Sequence, residues 1–177
     1  MSSSAESKRL VIDASVATSS GERGRRGEMC QSFLMVMIDE TVHRLVMTRE
    51  IGSEWDVHSH PFARRWRRSM NARRRVERAS VDRDMALRKR IDKANPTEKS
   101  LAAMEKDLHL IEAAKATDNC IISLDDTARR LFSTVSGSIG ELGQILWVNP
   151  ANETETPIQW LKEGSLNEEP RMIRSFS

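Results

Sequence analysis

Four short apolar runs punctuate the chain: Leu10-Val11-Ile12, Leu45-Val46-Met47, Cys120-Ile121-Ile122 and Ile145-Leu146-Trp147-Val148. Each is too short for a helix and reads as a strand buried on both faces, where apolar residues run on instead of alternating. Strands are therefore expected over 9–13, 45–48, 119–124 and 145–148. Between them the apolar spacing becomes helical. A helix over 29–44 takes Phe33, Leu34, Met37, Ile38 and Val42 as its inner side, and another carries Ile51, Glu54, Trp55 and His58 until Pro61 interrupts it. Arginine-rich helical material in one or two pieces spans 62–93, with Phe62, Trp66 and Met70 recurring every fourth residue. After a break at 95–97, Ser100 is placed as the cap of a helix carrying Leu101 to Ala114, and a further helix covers 127–135. Residues 19–27, rich in Gly and Arg, read as a mobile loop, and 136–140 as a Ser/Gly turn. Strands alternating with helices predict an α/β fold with a mainly parallel central sheet covered on both faces.

At 177 residues the chain is expected to form one domain over 9–150, preceded by a flexible polar tail over 1–8 and followed by a C-terminal extension over 151–177. Hydrophobic content of 38% beside 31% charged residues is that of a globular protein without membrane spans, and the start lacks the apolar run of a signal peptide. Two cysteines suit a reducing cytoplasm, and Cys120 in its apolar run reads as a small core residue rather than half of a disulfide. The absence of tyrosine, with only four phenylalanines, argues against an aromatic base-stacking platform. The net charge of +2 hides an asymmetry: 61–94 holds 13 Arg and Lys against four acids, a local +9 that leaves −7 for the rest. A basic segment beside an acidic remainder suits a polyanion, with arginines on its phosphates.

The acids supply the candidate chemistry. Asp13 and Asp125 each follow a buried strand, where ligands gather in open α/β sheets. On one continuous helix over 101–114, Asp107 projects into the apolar half with Leu101, Met104, Leu108, Leu110 and Ile111, whereas His109 and Glu112 fall outside it. The alternative for Asp107 is a cap on a neighbouring segment or a pair with a buried arginine. Glu54 lies on the inner arc of its helix, with Glu50 and Glu40 as competitors. Several inward carboxylates are costly without positive charge, and a divalent cation such as Mg²⁺ or Mn²⁺ is the usual compensator.

Leu10-Val11-Ile12-Asp13-Ala14-Ser15, then Val46-Met47-Thr48 with Ile51 and Glu54, resembles the opening of PIN-domain nucleases. The stretch from Asp107 to Ala114 and the run Cys120-Ile121-Ile122-Ser123-Leu124-Asp125 resemble their second half, so the likeness spans about residues 9–150. It implies a Rossmann-like three-layer α/β/α domain and Mg²⁺- or Mn²⁺-dependent endonucleolytic cleavage of RNA. Asp13, Glu54, Asp107 and Asp125 fall on the family's four acids, with Asp13, Asp107 and Asp125 as metal ligands and Ser15 and Ser123 as supporting hydroxyls. Many members are VapC-like toxins held by a small antitoxin, and members commonly form homodimers, for which Met35 and Val36 would supply apolar surface. The chain departs from the pattern in Asp126, an additional acid, in the long arginine-rich segment and in the long tail.

Arg64, Arg65 and Arg68 are the arginines expected to contact RNA, against the plainer reading of a solvated face. His58 and His60, two apart on a helix, do not face one way, which disfavours a zinc site and leaves exposure or a phosphate contact. Trp55 and Trp66 read as core, and His109 as surface. A haloacid-dehalogenase-type phosphatase would want a second Asp two residues after the first, where Ser15 stands. A catalytically silent PIN-like module binding RNA or protein is the remaining rival.

Overall fold

The apolar runs fold as expected: β1 (Arg9–Ile12), β2 (Arg44–Met47), β4 (Cys120–Ile122) and β5 (Leu146–Val148) are strands whose central residues are fully buried. A computed structural model describes residues 6–94 and 96–176. It adds a strand that the hydrophobic pattern does not reveal, β3 (Val76–Arg78), within the arginine-rich segment expected to be helical. These five strands pair in parallel in the order β3-β2-β1-β4-β5. The chain leaves β1 toward β2 and β3, then returns to β4 on the other flank. The order therefore reverses between β1 and β4, the crevice where such sheets place their ligands.

The helices are α1 (Ala14–Ser19), α2 (Arg25–Glu40), α3 (Arg49–His58), α4 (Pro61–Ala72), α5 (Met85–Lys93), α6 (Glu98–Glu105), α7 (Leu108–Lys115), α8 (Asp126–Ser136), α9 (Gly140–Gly143) and α10 (Pro157–Lys162). Right-handed crossovers put α2 and α4 on one face of the sheet and α7 and α8 on the other, making a three-layer α/β/α Rossmann-like domain.

Several boundaries differ from the sequence expectation for identifiable reasons. Ala14–Ser19, given no element from the sequence, is a short helix, and the loop expected over 19–27 shrinks to the residues between α1 and α2. Gly24 there has φ +99, and a Cβ on Gly27 would lie 2.2 Å from the Glu22 carbonyl oxygen, so both glycines permit the tight reversal. α2 ends four residues early because Arg75 and Arg73 cap it: Arg75 donates to the Met37, Ile38 and His43 carbonyls and Arg73 to Ile38. Val42 is thereby left outside the helix and half exposed. Thr97, not Ser100, caps α6, accepting the Ser100 N–H. The expected single helix over 101–114 is two, α6 and α7, jointed at Lys106–Asp107.

Residues 1–5 of the expected tail lie outside the described residues. Ser7 donates to the Val42 carbonyl, and Lys8 N–H donates to His43 Nδ1. That donor fixes the proton of buried His43 on Nε2, facing the Leu161 carbonyl at 3.0 Å, and burial lowers its pKa. Beyond residue 150, α10 packs on α2, Met172 bridges Leu146, and Ile173 is buried in the same core. Trp55 and Trp66 are core residues, stacked with centroids 6.0 Å apart. Cys30 and Cys120 are free thiols, pushed up to about 11 and about 12 by burial. No described helix is long and apolar enough to cross a membrane.

Candidate active site

Asp13 leaves the carboxyl end of β1 in the N-cap position of α1, yet its side chain makes no cap bond. Its Oδ2 instead accepts two hydroxyls, Ser15 Oγ at 2.6 Å and Ser123 Oγ at 2.8 Å. Ser123 Oγ also accepts the Asp125 N–H at 3.1 Å, so one hydroxyl fastens the end of β4 to the acid at the end of β1. The two serines expected as supporting hydroxyls both donate to Asp13.

Asp125 does cap: its Oδ1 accepts the Ala128 N–H at 2.8 Å at the start of α8. Asp107 occupies the joint between α6 and α7, in the N-cap position of α7, again with no side-chain cap bond. It is therefore not inside a helical stripe, where a continuous projection would put it. Neither alternative for it holds among the described residues, because its carboxylate makes neither a cap bond nor an ion pair with arginine. Burial pushes its pKa up to about 7, helped by the charges of Asp13, Asp125 and Glu54 and opposed by His109. Asp13, Glu54 and Asp107, with Ser15, line one cleft of about 280 Å³ whose wall includes His58 and Lys106.

Of the three glutamates considered for the second acid, Glu54 is the one that lines the cleft with Asp13 and Asp107. Glu40 ends α2 in an ion pair with Lys162 at 2.7 Å, and exposed Glu50 lines the neighbouring depression with Arg49 and Arg88. Glu54 Oε2 meets His109 Nε2 at 3.0 Å. His109, expected at the surface, is largely covered, with its side chain only 10% exposed. Burial alone would lower its pKa, but the Glu54 bond and the Glu54, Glu50 and Asp107 charges outweigh it, so the pKa is raised. Glu112, also expected outside, is buried and accepts Arg88 at 2.9 and 3.1 Å and the Asp84 N–H at 2.8 Å. Asp126 accepts Arg129 at 2.7 Å and Asn149 at 3.1 Å, tying the β4–α8 turn to the end of β5.

The donor set suits a hard divalent ion, being carboxylate oxygens short of cationic partners. Among the described residues, however, no three His, Cys, Asp or Glu side chains stand as placed at spacing that holds a metal. Occupancy would require the carboxylates to draw together, and that reorganisation weakens affinity.

Asp107 gives the cleft a pH signature. Its folded pKa of about 7 exceeds its ordinary 3.8, so between those values the folded chain holds more protons than the unfolded one. Its contribution favours folding most below that window and is lost as pH rises through it. In chelator, wild type should lose melting temperature relative to Asp107→Asn as pH rises from about 5 to about 8. Thermal denaturation of the two proteins across pH checks this, and a pH-independent difference would refute the crowding of negative charge at Asp107.

The arginines named from the sequence, Arg64, Arg65 and Arg68, are exposed on α4 and line a separate, larger groove. Set against protein-family models, curated proteins and solved structures, the chain matches none of them.

Proposed function

We propose that the chain is a metal-dependent endoribonuclease in which Asp13, Asp107 and Asp125 hold Mg²⁺ or Mn²⁺ and Glu54 completes the acidic set. The observation that carries this reading is Asp107: a half-buried carboxyl that neither caps nor pairs with arginine, faced by three other acids at the sheet's switch point. Structural carboxylates in this chain behave differently, since Glu112 pairs with Arg88 and Asp84 with Lys115 at 2.8 Å. A bound divalent cation supplies an activated water and neutralises charge on the reacting phosphate. The chain's own part is orientation: Ser15 and Ser123 fix one oxygen of Asp13, and His109 holds Glu54. The PIN-domain resemblance brings a homodimer and a small antitoxin into the same proposal. Of the two residues expected at a dimer interface, Met35 is 41% exposed and Val36 is partly buried against the core.

A second reading, a silent RNA-binding module, is favoured by the unconverged carboxylates. Incubating the purified protein with mixed RNAs in Mn²⁺, and again in chelator, tests both. Fragments should appear with Mn²⁺ and vanish in chelator. RNA retained on the protein but uncut under both conditions would favour the binding module and sink the nuclease.

A further inference from the structure

A groove of about 730 Å³ lies away from the acidic cleft, between α4 and the ends of β2 and β3. Pro61, Arg64, Arg65, Arg68 and Asn71 recur at helical spacing and so form one face of α4 along its length, facing Arg78 at the end of β3. Arg64, Arg65, Arg68 and Arg78 are exposed. Among the described residues none of the four pairs with a carboxylate. The fifth arginine, Arg67, is committed to Asp56 at 2.8 Å.

Other arginines of the segment are absorbed by the fold, Arg73 and Arg75 on carbonyls and Arg88 on Glu112. Unpaired guanidiniums gathered around one concavity distinguish the groove from an ordinary solvated face, because like charges otherwise repel. Guanidinium forks match phosphate oxygens two at a time. The two aromatics of α4, Phe62 and Trp66, pack toward the core on the side away from the arginines, so the groove offers phosphate contacts rather than stacking.

Its position relative to the cleft defines the ligand further. Parallel pairing aligns Met47 with Arg78, so the groove reaches the same carboxyl edge of the sheet that carries Asp13 and Asp125. α3 stands between, with Glu54 toward the cleft and Asp56 toward the groove. β1 and β3 are two strands apart, roughly 10 Å at the usual strand spacing. At about 3.4 Å per phosphate along a stacked strand, that separation spans about three nucleotides. A ligand that turns around α3 from the groove into the cleft bends within that distance, which a single strand does readily and a duplex, stiff over about 150 base pairs, does not.

We infer that the α4–β3 groove is a backbone subsite for single-stranded nucleic acid, gripping phosphates a few nucleotides from the bond presented to the acidic cleft. This rests on the nuclease reading for its direction, but its test does not. Binding of labelled oligouridylates of about 3 to 12 nucleotides is measured by fluorescence anisotropy in chelator, across a salt series. Affinity should rise with length. Replacing Arg64, Arg65 and Arg68 together with Gln should weaken the longest ligand at least about tenfold. It should also flatten the log–log salt slope by about 2, which is about 0.7 for each phosphate left without its arginine. Circular dichroism should be unchanged, since all three side chains are exposed. An unaltered slope, equal affinity for duplex, or equally tight competition by poly-glutamate would each overturn the inference, the last assigning the groove to an acidic polypeptide. Binding that holds while Mn²⁺-dependent cleavage fails would overturn only the catalysis.

Discussion

Asp13→Asn should reduce Mn²⁺-dependent RNA cleavage by more than about 100-fold while the protein stays folded. Loss of a group that merely positions a metal ligand already costs about 10- to 100-fold, and loss of a ligand's charge costs more. The substitution is selective because the amide keeps an oxygen to accept Ser15 and Ser123, both within 2.8 Å of Oδ2. No helix cap is lost, since Asp13 makes no cap bond. Melting temperature without metal should hold or rise, because a repelling charge near Asp107 has gone. Asp125→Asn tests the same charge at a position where Asn caps as well as Asp does. Ser123→Ala should fall between, at about 10- to 100-fold, because it leaves Asp13 held by Ser15 alone and removes the acceptor of the Asp125 N–H. Single-turnover cleavage rates with Mn²⁺, beside thermal melts in chelator, measure both quantities. Wild-type cleavage by Asp13→Asn would end the nuclease proposal.

What the sequence disclosed follows from how each element is buried. β1, β2, β4 and β5 are covered on both faces, so their apolar runs are unbroken and visible. β3 is an edge strand with one apolar residue, Val76, held partly by the Arg44–Glu77 pair at 2.9 Å. A strand recruited by charge leaves no hydrophobic period to read. The acids at strand ends were legible because a strand's end is sharply marked, and both Asp13 and Asp125 stand at the expected edge.

The misplacement of Asp107 traces to one joint. Projecting 101–114 as one helix carries a single phase through Lys106 and Asp107, where the backbone breaks and α7 starts afresh. His109 and Glu112 are expected outward, but α7 is covered on nearly every side, so His109 meets Glu54 and buried Glu112 meets Arg88. Asp107 stands near the other acids as a joint residue rather than a helical one. The arginine segment was similarly blended: sequence does not separate Arg75, spent on carbonyls, from Arg65, open to solvent.

Trp55→Ala should destabilise the fold by about 3–5 kcal/mol, a large share of the roughly 5–15 kcal/mol that holds a domain of this size. Trp55 is fully buried, stacks on Trp66 at 6.0 Å, and donates Nε1–H to the Ile12 carbonyl at 2.9 Å. That carbonyl belongs to the residue before Asp13, so the indole ties α3, which carries Glu54, to the strand end that carries Asp13. Trp66 in turn donates to the Leu34 carbonyl, extending the tie through α4 to α2. Trp55→Phe separates the two contributions. It keeps most of the packing and removes the donor, at about 1–3 kcal/mol for a buried carbonyl losing its partner. Urea denaturation should rank wild type, Phe and Ala in that order. Cleavage by the Phe variant should fall under conditions where it remains fully folded, because Glu54 and Asp13 lose their shared reference. A Phe variant as stable and as active as wild type would show that packing alone aligns α3 with β1, and that the indole bond to Ile12 contributes nothing to the acidic cleft.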